Sequence, residues 1–250
     1  MSELWEIHSH VLCGMDDGPR TEKSAFALLD QAAARGISVI IATPHYTPGD
    51  EKFRWDAMRE RIREANAYLE KKGCSLRVEG GCEILYSSPV SELLLNGAIP
   101  TLAGSKCVLV EFPLSASYTT MFRGIREIMN AGYIAILAHI ERYECLHNHM
   151  ERVKELHNTG CLFQMNCRPA SKACRFGLIS FPTRLLRQRQ IDFVSSDAHD
   201  RKHRPFSLKK CHTLLKRRFG EEYANRLCGR NASRWLRMTE NETSSSGENT

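Results

Sequence analysis

The sequence predicts an α/β fold built on a parallel sheet, in one domain. Two observations carry this reading. Short apolar runs alternate with amphipathic stretches at helical spacing, and the strand–loop–helix unit recurs about seven times in 250 residues. The runs are apolar almost throughout, as expected of parallel strands buried on both faces.

The strands are expected in LWEIHSH, SVIIAT, LRVEGGCEI, CVLVEF, YIAILAH, CLFQMN and DFVSS. A helix is expected from Thr21 to Arg35, stopped at Gly36, and a second from about Asp50 to Lys72 with alternating charges. Further helices should begin near Tyr118, His149, Pro182 and Pro205. No internal repeat and no Pro/Gly/Ser linker divides the chain, so one domain over residues 1–238 is expected. The tail at 239–250, TENETSSSGENT, is polar, has no apolar anchor and is expected to be disordered.

Composition excludes several classes of function. Hydrophobic residues make up 42% of the chain and charged residues 26%, enough for an ordinary soluble core. No apolar run approaches the roughly 20 residues that span a bilayer. The opening MSELWEIHSHVL also lacks the basic-then-apolar order of a signal peptide. No membrane insertion and a cytoplasmic location are therefore expected. None of the ten cysteines pairs with another at C-x-x-C spacing, and Cys82, Cys107 and Cys161 lie inside apolar runs. Free thiols are expected rather than zinc ribbons or disulfides. The net charge is +6, with much of the excess in RLLRQRQ and KKCHTLLKRRFG. The second stretch reads as a helix with a solvated basic face. It has no nucleic-acid motif and no aromatic interleaving, so no nucleic-acid partner is expected. A basic balance suits a phosphorylated, acidic partner.

The polar residues that end the apolar runs point to chemistry. The first run ends in His8 and His10, the second at His45, the third at Glu83 and the fourth at Glu111. The fifth ends at His139, the sixth at Asn166, and the seventh in SSDAH with Asp197 and His199. Asp16 and Asp17 both sit in the loop after the first strand, and spacing does not choose between them. In a parallel barrel all C-terminal strand ends open on one face, so residues distant in sequence converge. A lone H-x-H or D-x-H is weak evidence. Imidazoles and carboxylates at successive strand ends are what a multinuclear zinc, iron or manganese site requires.

A rival chemistry can be weighed on the same sequence. Cysteine-dependent phosphatases need Cys-x5-Arg in a loop whose N–H groups wrap an anion. One such match runs from Cys211 to Arg217. It has no glycine and a helical pattern, so a structural helix is expected there.

The segments IHSH, DDGP, ATPH, GCEILYSSPV, IPTL, LVEF, AHIERY and SSDAH follow one another from about residue 5 to about residue 236. Together they closely resemble the CpsB/YwqE-type bacterial tyrosine-protein phosphatases of the PHP (polymerase and histidinol phosphatase) superfamily. The resemblance implies a distorted (β/α)7 TIM-like barrel of the PHP type. It also implies three divalent metal ions, manganese foremost with iron or zinc as alternatives. His8, His10, Glu83 and Asp197 would hold one ion. Glu83 would bridge to a second, also held by Glu111 and His139, while Asp17, His45 and His199 would hold the third. The family pattern thus selects Asp17 over Asp16. Arg142 in HIERY and Arg204 in HRPF match the arginines that grip phosphate. The segment from Asp197 to Arg204 is one residue shorter than the family pattern, which brings His203 and Arg201 into view as substitutes for Arg204. CRPASKACRFG, after Asn166, also departs from that pattern.

The implied activity is a metal-dependent protein-tyrosine phosphatase, EC 3.1.3.48. Its expected partner is a bacterial tyrosine kinase with a phosphotyrosine-rich tail that controls capsule or exopolysaccharide synthesis. The residues suit that chemistry. Clustered metals offset the charge of a phosphate dianion and keep a hydroxide available near neutral pH, and Glu83 would fix two ions with the hydroxide between them. Arginine's planar fork matches phosphate oxygens. A small ester such as histidinol phosphate is the alternative substrate. A metal-stabilised binding module without catalysis is the alternative of another class.

Overall fold

The computed structural model describes residues 3–50, 53–176 and 180–237. The tail at 239–250 lies outside the described residues. Nine strands are described: β1 (Leu4–Glu6), β2 (Ile37–Ala42), β3 (His45–Tyr46), β4 (Arg77–Gly80), β5 (Glu83–Leu85), β6 (Cys107–Glu111), β7 (Ile134–Leu137), β8 (Leu162–Asn166) and β9 (Phe193–Ser195). All neighbouring pairs are parallel. The hydrogen-bonded orders are β1-β2-β4 and β3-β5-β6-β7-β8-β9. Pro44 separates β2 from β3, and Gly81-Cys82 separates β4 from β5, so each pair is one interrupted strand. The ring closes where Ser9 bridges Ala198 in parallel and the Asp197 N–H donates to the His8 carbonyl at 3.1 Å. The expected seven strand regions therefore form one curled parallel sheet, a distorted (β/α)7 barrel.

The helices are α1 (Glu22–Ala34), α2 (Trp55–Lys71), α3 (Val90–Leu95), α4 (Tyr118–Asn130), α5 (Met150–Asn158), α6 (Cys167–Phe176), α7 (Phe181–Arg187), α8 (Leu208–Phe219), α9 (Glu221–Asn225) and α10 (Asn231–Arg237). Their starts are written in the sequence. Thr21 and Ser24 form a capping box on α1, while Ser117 and Ser180 cap α4 and α7. The turns out of α1 and α5 use Gly36 at φ 69° and Gly160 at φ 90°, which other residues reach only with strain. One expectation shifts. The helix placed from Asp50 begins at Trp55, after the turn in which Asp50 N–H donates to Thr47 O at 3.0 Å. CRPASKACRFG forms α6 up to Phe176, because Pro169 stands in the first turn, where its missing N–H costs nothing.

Strand alternation sorts the core. Trp5, Ile7, Val39, Ile41, Cys107, Leu109, Ile136, Leu162 and Phe193 pack together inside the barrel, with Ala232 and Leu236 of α10. The alternate residues Ile40 and Ala42 meet Leu28 and Leu29 of α1, and Val108, Val110, Phe163 and Met165 meet the remaining helices. The segment joining α9 to α10 is a π turn, Arg226–Arg230. Its Gly229 lies where a Cβ would collide with the Glu3 carbonyl, so glycine is what lets the C-terminal helices rest against the start of β1. All ten cysteines are free. No helix among the described residues is long and apolar enough to cross a membrane.

Candidate metal centre

The inner rows of the barrel lead directly to the polar strand ends. Stepping by two from Val39 and Ile41 passes Thr43 and reaches His45, and stepping from Cys107 and Leu109 reaches Glu111. β1 needs an irregularity. The N–H groups of Ile7 and His8 both donate to Ser195 Oγ, at 2.9 and 3.1 Å, instead of continuing the ladder. Beyond this point His8 and His10 both face the mouth. His139 and Asp197 are left-handed, at φ 33° and 53°, a conformation uncommon outside glycine and often found at functional sites.

The structure brings all nine expected ligand-type residues to this mouth. His8 Nε2 lies 3.1 Å from Glu83 Oε2 and 3.5 Å from Asp197 Oδ1. His10 Nε2 lies 3.4 Å from each of the same two oxygens. His139 Nε2 is 2.9 Å from Glu83 Oε1 and 3.3 Å from Glu111 Oε2. His45 faces two ways: Nδ1 lies 3.1 Å from Glu83 and 3.3 Å from Glu111, while Nε2 is 3.6 Å from Asp17. His199 Nε2 is 3.1 Å from Asp17 Oδ1. Donor atoms lie within 4.8 Å of one another in three groups: His8, His10 and Asp197; His45, Glu83 and Glu111; His10, Asp17, His45 and His199.

Hydrogen bonds set which ring nitrogen each histidine presents. His10 Nδ1 is 2.6 Å from Asp16 Oδ2, which as a carboxylate accepts, so the proton sits on Nδ1. His199 Nδ1 donates to the Asp197 carbonyl at 3.0 Å. Both rings therefore turn the lone pair of Nε2 toward the mouth, as metal ligation requires. His8 Nε2, His10 Nε2 and Asp197 Oδ1 are buried and lack a hydrogen-bond partner. Buried polar atoms left so are costly, and several that converge on one point fit a cation.

The charges are mutually dependent. Burial raises the pKa of Glu83, but the charge of His8 and contacts from His10, His139 and His45 hold it well below the carboxylate range. Burial opposes a proton on His45 and His139, yet Glu111 and Glu83 lift them to about 10 and about 9. His199 moves down to about 4, because burial, His10 and Arg204 all disfavour its charge.

The two arginines differ in setting. Arg204 donates to Asp197 Oδ2 at 2.6 Å and meets His199 Nε2 at 2.7 Å, so it is inside the site. Arg201 and His203 are exposed on the same loop. Arg142 is exposed on the single turn Ile140–Arg142 that follows His139. The expected Cys211–Arg217 match is helical, with Cys211 buried in α8. Sequence reading had left three participants without a role: Asp16, Gln164 and Asn166. Asp16 shares its signal with Asp17, and amides at a strand end carry no ligand signature. Two clefts of about 570 and 620 Å³ lie around Thr101–Gly104, away from these residues.

The chain is 32% identical over 237 residues to the tyrosine-protein phosphatase CpsB of Streptococcus agalactiae, covering 93% of this chain and 98% of that protein. It is 32% identical over 219 residues to the tyrosine-protein phosphatase YwqE of Bacillus subtilis, covering 87% and 85%. Its fold superposes with TM-score 0.85 at 30% identity, over 94% of each chain, on a structure described under YwqE from Bacillus subtilis and CpsB from Streptococcus pneumoniae, unique metal-dependent tyrosine phosphatases. An amidohydrolase from Mycoplasma synoviae shares the fold alone, at TM-score 0.61 and 13% identity. Residues 4–237 match the family described as capsular polysaccharide synthesis, CpsB/CapC, and the chain belongs to that family.

Proposed function

We propose that this chain is a metal-dependent protein-tyrosine phosphatase, with His8, His10, Asp17, His45, Glu83, Glu111, His139, Asp197 and His199 as metal ligands. The observation that carries the reading is the convergence of His8 Nε2, His10 Nε2 and Asp197 Oδ1, buried and without hydrogen-bond partners. The donor set is imidazole and carboxylate, which suits three divalent ions such as manganese, with iron or zinc as alternatives. When bound, such ions neutralise phosphoryl oxygens and lower the pKa of a coordinated water.

The chain's own residues supply the rest. Glu83 contacts His8, His10, His45 and His139, so a carboxylate at this position stands between the groups and can bridge them. Arg204 and Arg142 lie on the loops following β9 and β7; their guanidinium forks match phosphate oxygens, Arg204 exchanging its contacts with Asp197 and His199 for that grip. The mouth is open: the side chains of His45 and Asp17 are 41% and 59% exposed, which admits a phosphate carried on a protein. A tyrosyl leaving group is a phenolate and needs little protonation. The family description supports a substrate in capsule synthesis. We take that substrate to be a cytoplasmic tyrosine kinase with a phosphotyrosine-rich tail.

The test is hydrolysis of a phosphotyrosine peptide by metal-analysed protein. Activity should vanish with a strong chelator, return with manganese, and survive thiol alkylation. Full activity in a His8→Ala/His10→Ala variant would sink the proposal. Faster turnover of histidinol phosphate than of the peptide would move the substrate to a small ester.

A further inference from the structure

β8 stands apart from the strands around it. Its mouth end carries Gln164 and Asn166 in place of His, Asp or Glu. Gln164 is fully buried, and its Oε1 receives the backbone N–H of His139 at 2.7 Å. A backbone N–H can only donate, so this atom is the oxygen and the amide has one orientation. His8 Nδ1 lies 3.2 Å from the same oxygen. That nitrogen must carry the proton, which leaves the lone pair of His8 on Nε2, the atom facing Glu83 and Asp197.

The polarity continues from the other end of the amide. Gln164 Nε2 donates to Asn166 Oδ1 at 2.9 Å, which orients the second amide. Asn166 Nδ2 then donates to Asp197 Oδ2 at 3.0 Å. Asp197 Oδ1 is left to face His8 Nε2 at 3.5 Å and His10 Nε2 at 3.4 Å. A single backbone N–H thus orders two amides and one imidazole, and its chain ends on Asp197 Oδ2, which Arg204 also holds at 2.6 Å. His8 Nε2 and Asp197 Oδ1 then face one another in the same donor group as His10 Nε2.

We propose that Gln164 and Asn166 are positioning residues that set the hydrogen-bond polarity of the centre: Gln164 holds His8 protonated on Nδ1, and Asn166 holds Asp197 with Oδ1 inward. The proposal rests on the metal-binding reading above. Outer partners of this kind typically change metal affinity 10–100-fold when removed. The two arms are separable. Gln164→Glu keeps an acceptor for His8 Nδ1–H but cannot donate to Asn166. Gln164→Met removes both arms. Asn166→Ala removes only the arm to Asp197.

The test uses the full chain labelled with 15N-histidine and loaded with zinc, a diamagnetic probe. Zinc affinity is measured by competition with a chelator. In the wild type, His8 should show a slowly exchanging proton on Nδ1. In Gln164→Met that proton should exchange rapidly with water, and zinc affinity should fall about 10–100-fold. Gln164→Glu should restore the slow Nδ1 proton. Asn166→Ala should keep it and still lose zinc affinity, a split that general loosening of the barrel would not produce. Should Gln164→Met fail to fold, the wild-type signal, the Glu variant and Asn166→Ala carry the test. Wild-type His8 protonated on Nε2 would overturn the proposal, as would Gln164→Met with unchanged zinc affinity and a slow Nδ1 proton. Wild-type protein that takes up no zinc while His8 keeps its Nδ1 proton would count against the metal reading and support the polarity assignment.

Discussion

Asp16 Oδ2 lies 2.6 Å from His10 Nδ1 and also accepts the backbone N–H of His45 at 3.1 Å, so one carboxylate ties together two strands that carry site histidines. Its neighbour Asp17 behaves differently. The Asp16 side chain is 6% exposed and that of Asp17 59%. Adjacent identical residues thus divide the work, one behind the imidazole and one in the mouth.

This division has a measurable consequence. Asp16→Ala should weaken metal binding about 10–100-fold through His10, and excess metal should restore most of the activity. Asp17→Ala removes a proposed ligand and should not be restored by the same excess. Activity titrated against manganese checks both. An Asp16→Ala enzyme with an unchanged metal requirement would contradict the arrangement.

Gly18 is expected to be intolerant for a steric reason. Its N–H donates to Asp16 Oδ1 at 2.9 Å, and a Cβ there would collide with the His10 carbonyl oxygen. Gly18→Ala must therefore displace the loop that carries Asp16 and Asp17. Phosphatase kcat/KM should fall at least tenfold, because small displacements at a reacting site are expensive. The melting temperature should fall less, since Asp16, Asp17 and Gly18 themselves lie outside the core clusters, although their neighbour Met15 packs against one. Kinetics and thermal melts on one sample decide it.

Much of this centre could be read from sequence, and the remainder could not for physical reasons. Apolar runs ending in His, Glu or Asp were enough to place His45, Glu111, Asp197 and their partners at one barrel mouth, because parallel strands share a direction. The choice of Asp17 came from family resemblance alone. Asp16 was invisible as a separate role because sequence does not say which of two neighbours turns inward. Gln164 was missed, and Asn166 was seen only as a strand end, because an amide becomes informative only when its partners are known.

The arginines should separate by substitution. Arg204 is bound to Asp197 and His199 through both terminal nitrogens. Arg204→Lys keeps the charge but loses the fork, and should raise KM for a phosphotyrosine peptide several-fold or more. Arg142→Ala should raise KM without altering metal content, because Arg142 lies on the exposed turn beyond His139. Steady-state kinetics beside metal analysis checks both outcomes. Loss of metal in Arg142→Ala would assign that residue to structure instead.

The mouth should also respond to salt. Arg142, Arg168 and Lys202 are exposed on segments that follow β7, β8 and β9, and the net charge is +6. A positive rim steers acidic substrates, and the effect weakens as the Debye length shrinks from about 10 Å at 0.1 M salt to about 3 Å at 1 M. Peptides with acidic residues around the phosphotyrosine should lose kcat/KM steeply with added salt. Arg168→Glu combined with Lys202→Glu should flatten that slope. Equal salt dependence for acidic and neutral peptides would exclude steering by this rim.

Stability should carry a pH signature from a pair remote from the mouth. His157 Nε2 on α5 lies 3.5 Å from Asp192 Oδ2, which also accepts the Phe163 N–H at 2.9 Å. The contact with Asp192 raises the pKa of His157, against a smaller lowering from burial. A histidine whose folded pKa lies above its unfolded value, about 6.5, binds its proton more tightly when folded. Its contribution is complete below the unfolded pKa and is lost as pH rises through the folded pKa. The wild type should therefore exceed His157→Gln in melting temperature most at mildly acidic pH, and the difference should shrink above neutrality. Comparing the two proteins at each pH cancels the titration of the metal site, which both share. A difference that grows with pH would mean that His157 is held neutral in the fold, and that Asp192 serves Phe163 alone.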